Sequence, residues 1–136
     1  MAPDETQVLA VNQAFYDAVV TGNIEALDAL WAERADVACI HPGWDALLGR
    51  DEVMASFRAI FSGGGAPRIQ CVDATARLYG ETAIVVCGEV LDGTYLIATN
   101  IFVREGAGWR LCHHQAGPVS ARRRAPTARP DPGMLN

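Results

Sequence analysis

Apolar positions keep a helical interval in the first half of the chain and a strand interval in the second. From Asp4 to Val20, the residues Val8, Val11, Phe15 and Val19 recur three and four apart, which predicts one amphipathic helix. Gly22 ends that pattern. Asn23 suits the cap of a second helix, in which Leu27, Leu30 and Trp31 keep the same interval, so the two are expected to pack as a hairpin. Asp36 to His41 carries Val37, Cys39 and Ile40 and stops at Pro42-Gly43, the pattern of a short strand that opens into a loop. A third helix is expected after Gly49, with Asp51 and Glu52 in its first turn and Val53, Phe57, Ile60 and Phe61 facing inward. Gly63-Gly64-Gly65 closes it.

Beyond Pro67 the pattern predicts four strands, Arg68 to Tyr79, Thr82 to Leu91, Thr94 to Arg104 and Trp109 to Gln115. Short connections join them, and Asp92-Gly93 is a strong hairpin signal because both central residues of such a turn need positive φ. Helices first and a meander afterwards make an α+β order, with helices over one face of a curved antiparallel sheet. One domain is placed at residues 1–118. Residues 119–136, rich in Arg and Pro and without an apolar period, read as a flexible tail.

Composition narrows the classes of function. With 136 residues, half of them hydrophobic, the chain has material for one core. Its apolar runs fall far short of the roughly 20 residues of a membrane-spanning helix, and the first residues lack the pattern of a secretory signal, so a cytoplasmic location is expected. Four of the eleven basic residues but only one of the sixteen acids lie in 119–136, which leaves an acidic body and argues against nucleic acid as a partner. Every basic residue is Arg, so no lysine can form a Schiff base. Cys39, Cys71, Cys87 and Cys112 show no zinc-ligand spacing and read as buried free thiols. No nucleotide-binding or nucleophile-elbow motif occurs, and neither a cofactor nor a metal is expected.

The order of elements, together with Gly22-Asn23-Ile24-Glu25-Ala26-Leu27, Gly49-Arg50-Asp51-Glu52-Val53 and Gly108-Trp109-Arg110-Leu111-Cys112-His113-His114, resembles the nuclear transport factor 2-like superfamily. Within it, the SnoaL-like and ketosteroid isomerase-like branch fits best. The resemblance implies a cone-shaped, cystatin-like fold of three helices on a curved sheet, with an apolar cavity near the end of the first short strand. It places His41 where the isomerases keep the carboxylate that moves the substrate proton, Phe15 at their oxyanion-binding tyrosine and Asn100 at their protonated aspartic acid. Tyr16 carries a hydroxyl but lies about 100° from Phe15 around an ideal helix.

These positions define the candidate site. His41 is the first candidate acid or base, because an imidazole changes charge near neutral pH. Side chains of the consecutive His113 and His114 must leave opposite faces of a strand, and the resemblance assigns His113 to the cavity and His114 to the outside. Phe15, Tyr16, Trp31, Trp44, Phe57 and Phe102 are expected as apolar walls, with Trp44 as a lid in the loop after Pro42-Gly43.

The resulting expectation is a pocket protein that binds a small hydrophobic ligand, with His41, Asn100 and His113 supporting isomerisation, dehydration or cyclisation of a carbonyl or polyketide-like compound. The alternative is a non-catalytic association domain. Its homodimer contact would use the outer sheet face, through Val85, Cys87, Ile97, Thr99 and Cys112.

Overall fold

The computed structural model describes residues 3–122; the greater part of the expected tail, 123–136, lies outside the described residues. Three helices, α1 (Pro3–Thr21), α2 (Ile24–Leu30) and α3 (Arg50–Gly63), pack on a curved, open sheet of six strands. The strands are β1 (Ala38–Ile40), β2 (Leu47–Leu48), β3 (Ile69–Tyr79), β4 (Thr82–Leu91), β5 (Thr94–Glu105) and β6 (Gly108–Pro118), in the order β2-β1-β6-β5-β4-β3. The meander from β3 to β6 is antiparallel, whereas β1 joins β6 in parallel. β2 pairs with β1 as a two-residue edge strand that the sequence pattern did not show.

Local chemistry accounts for the helix breaks. Gly22 adopts φ 63°, a conformation that stops α1, and Asn23 then accepts a bond from the Ala26 amide at 3.0 Å to start α2. Arg50, at the head of α3, donates to the carbonyls of Asp28, Trp31 and Ala32 at 2.8 to 3.1 Å and so satisfies the exit of α2. Asp92 and Gly93 both take positive φ, as their hairpin requires.

Helix α1 buries more than its apolar stripe. Val8, Phe15 and Val19 are inside, and so are Asn12 and Tyr16, which belong to the same face at helical spacing. The core gathers Phe15, Leu27, Trp31, Phe57, Phe102 and Leu111 between the helices and the concave face of the sheet.

Two irregularities reset which side chains face that core. In β3 the register shifts between Val72 and Thr75, with Asp73 at φ 54°. In β6, Phe102 pairs with Leu111 while Ile101 pairs with His113, so Cys112 is an extra residue in the ladder. Trp109 and Leu111 are buried before this bulge, His114 and Ala116 after it. The expected facing of the two histidines is therefore reversed: His114 is interior and His113 leaves by the other face, because one inserted residue inverts a period of two.

The outer face also needs correction. Val85 and Cys87 are interior, since they alternate with Ala83 on the concave side of β4. Exposed apolar area on the convex side comes instead from Val86 and Ile97, 38% and 40% accessible. Nearby, the Tyr95 ring covers Gly88 so closely that a Cβ there would meet it at 2.6 Å, and the Arg122 guanidinium lies 4.1 Å above that ring.

The loop before β1 is tied to the end of β5 by one side chain. The Glu105 carboxylate accepts from the amides of Glu33, Arg34 and Ala35 at 2.9 to 3.1 Å. Partial burial raises this carboxyl, but the three amide bonds outweigh it and hold the group below its ordinary range. Its stabilising effect is thus complete above the ordinary carboxylate pKa and disappears as pH falls through the lower folded value. Glu105→Gln should cost about 1 kcal/mol at pH 7 and remove that acid dependence, measured by urea unfolding across pH 2 to 7.

Candidate active site

A cavity of about 240 Å³ lies between α1, α3, the loop after β1 and the ends of β3 and β4. Its apolar wall comes from Phe15 and Val19 of α1, Phe57 and Ile60 of α3, Ile69 and Leu91 of the sheet, and Pro42 and Pro67. Trp44 stands at its edge, 45% exposed, with its ring 4.8 Å from that of His41. Four polar side chains also border the cavity: Tyr16, His41, Glu89 and His114. No arginine is among the lining residues.

Glu89 organises the polar side. It is 1% exposed, on the concave face of β4, and its Oε2 accepts the Tyr16 hydroxyl at 2.5 Å. Asn100 donates to the Tyr16 oxygen at 3.1 Å and to Asn12 Oδ1 at 2.8 Å. The Asn100 carbonyl oxygen meets His114 Nδ1 at 2.5 Å, and His114 Nε2 lies 3.8 Å from Glu89 Oε2. The chain of contacts thus returns to the carboxyl from which it began.

Burial sets the protonation of these groups. It raises the Glu89 carboxyl, against the lowering effect of the Tyr16 hydroxyl bond, and pushes His114 down to about 3, assisted by repulsion from His41 and His113. It also brings His41 down to about 4 and raises the Tyr16 phenol further above its ordinary value. Low dielectric favours the uncharged form of each, which makes the imidazoles free bases and keeps a proton on the carboxyl to higher pH than usual. His41 Nε2 is 2.9 Å from Ser56 Oγ, and its ring is edge-on to Phe57 at 5.0 Å.

Of the residues singled out in the sequence, His41, Phe15, Tyr16, Trp44 and Phe57 border the cavity. The others are placed differently. Trp31 and Phe102 are fully buried in the core and do not border the cavity; Trp31 packs behind Phe15 and Phe57 at 6.2 and 6.4 Å. Asn100 is behind Tyr16, with both amide hydrogens engaged by neighbours, so none is left for a ligand oxygen. His113 is outside, and His114 takes the place assigned to it.

Sequence reasoning missed Glu89, although a signal was present. Ala83, Val85 and Cys87 alternate with it along β4, and period two therefore assigned an acid to the interior face. His114 had no comparable signal, because its facing depends on the bulge at Cys112. Asn12 sat three and four residues from Phe15 and Val8 on the buried side of α1. Among the described residues, no three His, Cys, Asp or Glu side chains are arranged to hold a metal, and no helix is long and apolar enough to cross a membrane.

Three helices over a curved open sheet define the nuclear transport factor 2-like fold. The model of the SnoaL-like domain matches residues 8–120, and the chain belongs to that family. It is similar to a candidate dehydratase of the same fold from Streptomyces avermitilis, at 36% identity and TM-score 0.80, covering 87% of this chain and 97% of the other. It is also similar to a candidate association domain of calcium/calmodulin-dependent protein kinase type II from Thiobacillus denitrificans, at 34% identity and TM-score 0.73, covering 82% and 94%. F-box protein SKIP8 of Arabidopsis thaliana is 25% identical over 111 residues, 80% of this chain. The chain spans about half, 48%, of the length of that curated relative.

The pKa displacements make stability depend on pH in a defined direction. A histidine held down at about 4 binds fewer protons folded than unfolded, so its penalty is absent above pH 6.5 and grows as pH falls towards 4. For His41 the full effect is on the order of 3 kcal/mol, and His41→Gln should flatten the urea midpoint between pH 6.5 and 4 by a corresponding part. Glu89 has the opposite sign: its raised carboxyl destabilises the folded state as pH rises through the folded value. Glu89→Gln should therefore match the wild type at pH 4 and exceed it in urea midpoint at pH 8.

Proposed function

We propose that this chain is a cofactor-independent proton-transfer enzyme, a dehydratase or isomerase of small, neutral, hydrophobic carbonyl compounds. The observation that carries this reading is an imidazole and a carboxyl bordering one apolar cavity, with burial lowering His41 to about 4 and raising Glu89 above its ordinary value. Two groups whose environment displaces their pKa values from the ordinary order are the equipment of acid–base chemistry at neutral pH.

For a β-hydroxy ketone the step balances without any cofactor. His41 takes the proton on the carbon next to the carbonyl, the carbon–oxygen bond to the hydroxyl breaks, and the Glu89 carboxyl protonates the departing oxygen as water. An unsaturated ketone results, and return of the His41 proton to Glu89 restores the site. Tyr16 holds Glu89 by its hydroxyl bond, and Trp44 bounds the cavity mouth. A ligand carrying carboxylate or phosphate would find no cation among the lining residues, which supports a neutral substrate. The 36% identity with a candidate dehydratase supports the same class of reaction.

A second reading concerns assembly. The 34% identity with a candidate kinase association domain, together with exposed Val86 and Ile97, supports a homodimer through the convex face of the sheet. This contact is compatible with catalysis, since the cavity lies on the concave side.

Turnover of monocyclic β-hydroxy ketones, followed by the absorbance of the unsaturated product, tests the chemistry. His41→Gln and Glu89→Gln should each lower kcat by about 10²- to 10⁴-fold. Equal turnover by wild type and both variants would dismiss the assignment. For assembly, Val86→Arg combined with Ile97→Arg should convert a sedimenting dimer to monomer; a wild-type monomer at micromolar concentration would refute the contact.

A further inference from the structure

The hydrogen-bond partners of the two interior imidazoles determine where their protons reside. Ser56 has one hydroxyl proton, and its oxygen lies 2.7 Å from the Val53 carbonyl, which can only accept. With that proton committed to the helix backbone, the same oxygen faces His41 Nε2 at 2.9 Å as an acceptor. Nε2 must then carry hydrogen, and in a neutral ring Nδ1 is bare. Cys39 does not distinguish the two nitrogens, since its Sγ lies 3.8 Å from both Nδ1 and Nε2 and burial raises the thiol to about 12, so the assignment stands on Ser56.

The other imidazole is set by an amide. Asn100 donates both hydrogens of its Nδ2, to Asn12 Oδ1 and to the Tyr16 oxygen, which orients its carbonyl oxygen towards His114 Nδ1. Nδ1 therefore carries the hydrogen and Nε2 is the bare nitrogen, 3.8 Å from the Glu89 carboxyl.

We propose that Ser56 and Asn100 are positioning residues that lock His41 and His114 in opposite tautomers, with His41 Nδ1 and His114 Nε2 as the two bare nitrogens of the cavity wall. This deepens the proton-transfer reading and rests on it for its chemical meaning. His41 offers a ligand a lone pair at Nδ1 while its other nitrogen is anchored. His114 meets Glu89 as a neutral acceptor and not as a cation, so the imidazole adds no positive charge that would favour the ionised carboxyl. A mobile ring would divide its time between two tautomers, only one of which presents the correct nitrogen.

Two-bond proton–nitrogen correlation spectra of the full chain, labelled with ¹⁵N-histidine and recorded at neutral pH without added ligand, read the tautomers directly. His41→Gln and His113→Gln assign the signals. The expected wild-type pattern is Nε2–H for His41 and Nδ1–H for His114. In Ser56→Ala the His41 nitrogens should shift towards averaged values while His114 remains unchanged, and Ser56→Thr should restore the wild-type pattern. Nδ1–H at His41 or Nε2–H at His114 in the wild type would overturn the proposal, and the wild-type spectrum decides this even if a variant fails to fold. An unchanged His41 pattern in folded Ser56→Ala would overturn the role of Ser56. The expected tautomers without any β-hydroxy ketone turnover would uphold the lock and remove the enzymatic reading; turnover with the reverse tautomers would do the opposite.

Discussion

A carboxyl group almost wholly removed from water is the constraint around which the interior of this protein is arranged. Charged and unmatched, Glu89 would cost several kcal/mol, a large part of the stability of a domain of this size. The fold meets the constraint in two ways. Tyr16 provides a hydroxyl donor at 2.5 Å, and the low-dielectric surroundings favour the protonated carboxyl. Each requirement reaches further: Tyr16 is oriented by Asn100, Asn100 by Asn12 and His114, and these residues come from α1, β5 and β6. The helix and the sheet are thus joined by a directional polar network as well as by apolar packing.

The same arrangement connects stability with pH. The environment that withholds charge from His41 and Glu89 makes the folded state sensitive to both acid and base, with opposite signs. Aromatic and aliphatic side chains form most of the cavity wall, and no arginine borders it.

Regularity in the strands was interrupted where it mattered most. The extra residue at Cys112 exchanges the faces of His113 and His114, and the shift near Asp73 resets the interior face of β3. Bulges of this type bend a strand and increase its twist, which suits a sheet that curves around a cavity. The feature that helps shape the pocket therefore also decides which imidazole enters it. On the convex side, Val86 and Ile97 form a small apolar area flanked by Tyr95 and Arg122.

Helix and strand order, the Asn23 cap and the Asp92-Gly93 hairpin were legible in the sequence because each follows from short-range periodicity or local turn chemistry. His41 and Trp44 were legible through their place after the first strand, and Glu89 could have been read from its parity with Ala83, Val85 and Cys87. Tertiary structure decided the rest. That His114 and not His113 is interior, that Asn100 stands behind Tyr16, and that Trp31 and Phe102 serve the core depended on sheet register and on packing between distant segments. Local sequence specifies the side chain and its neighbours along one element, but the face it presents after a bulge and the partner it meets across the core are properties of the assembled sheet and helices.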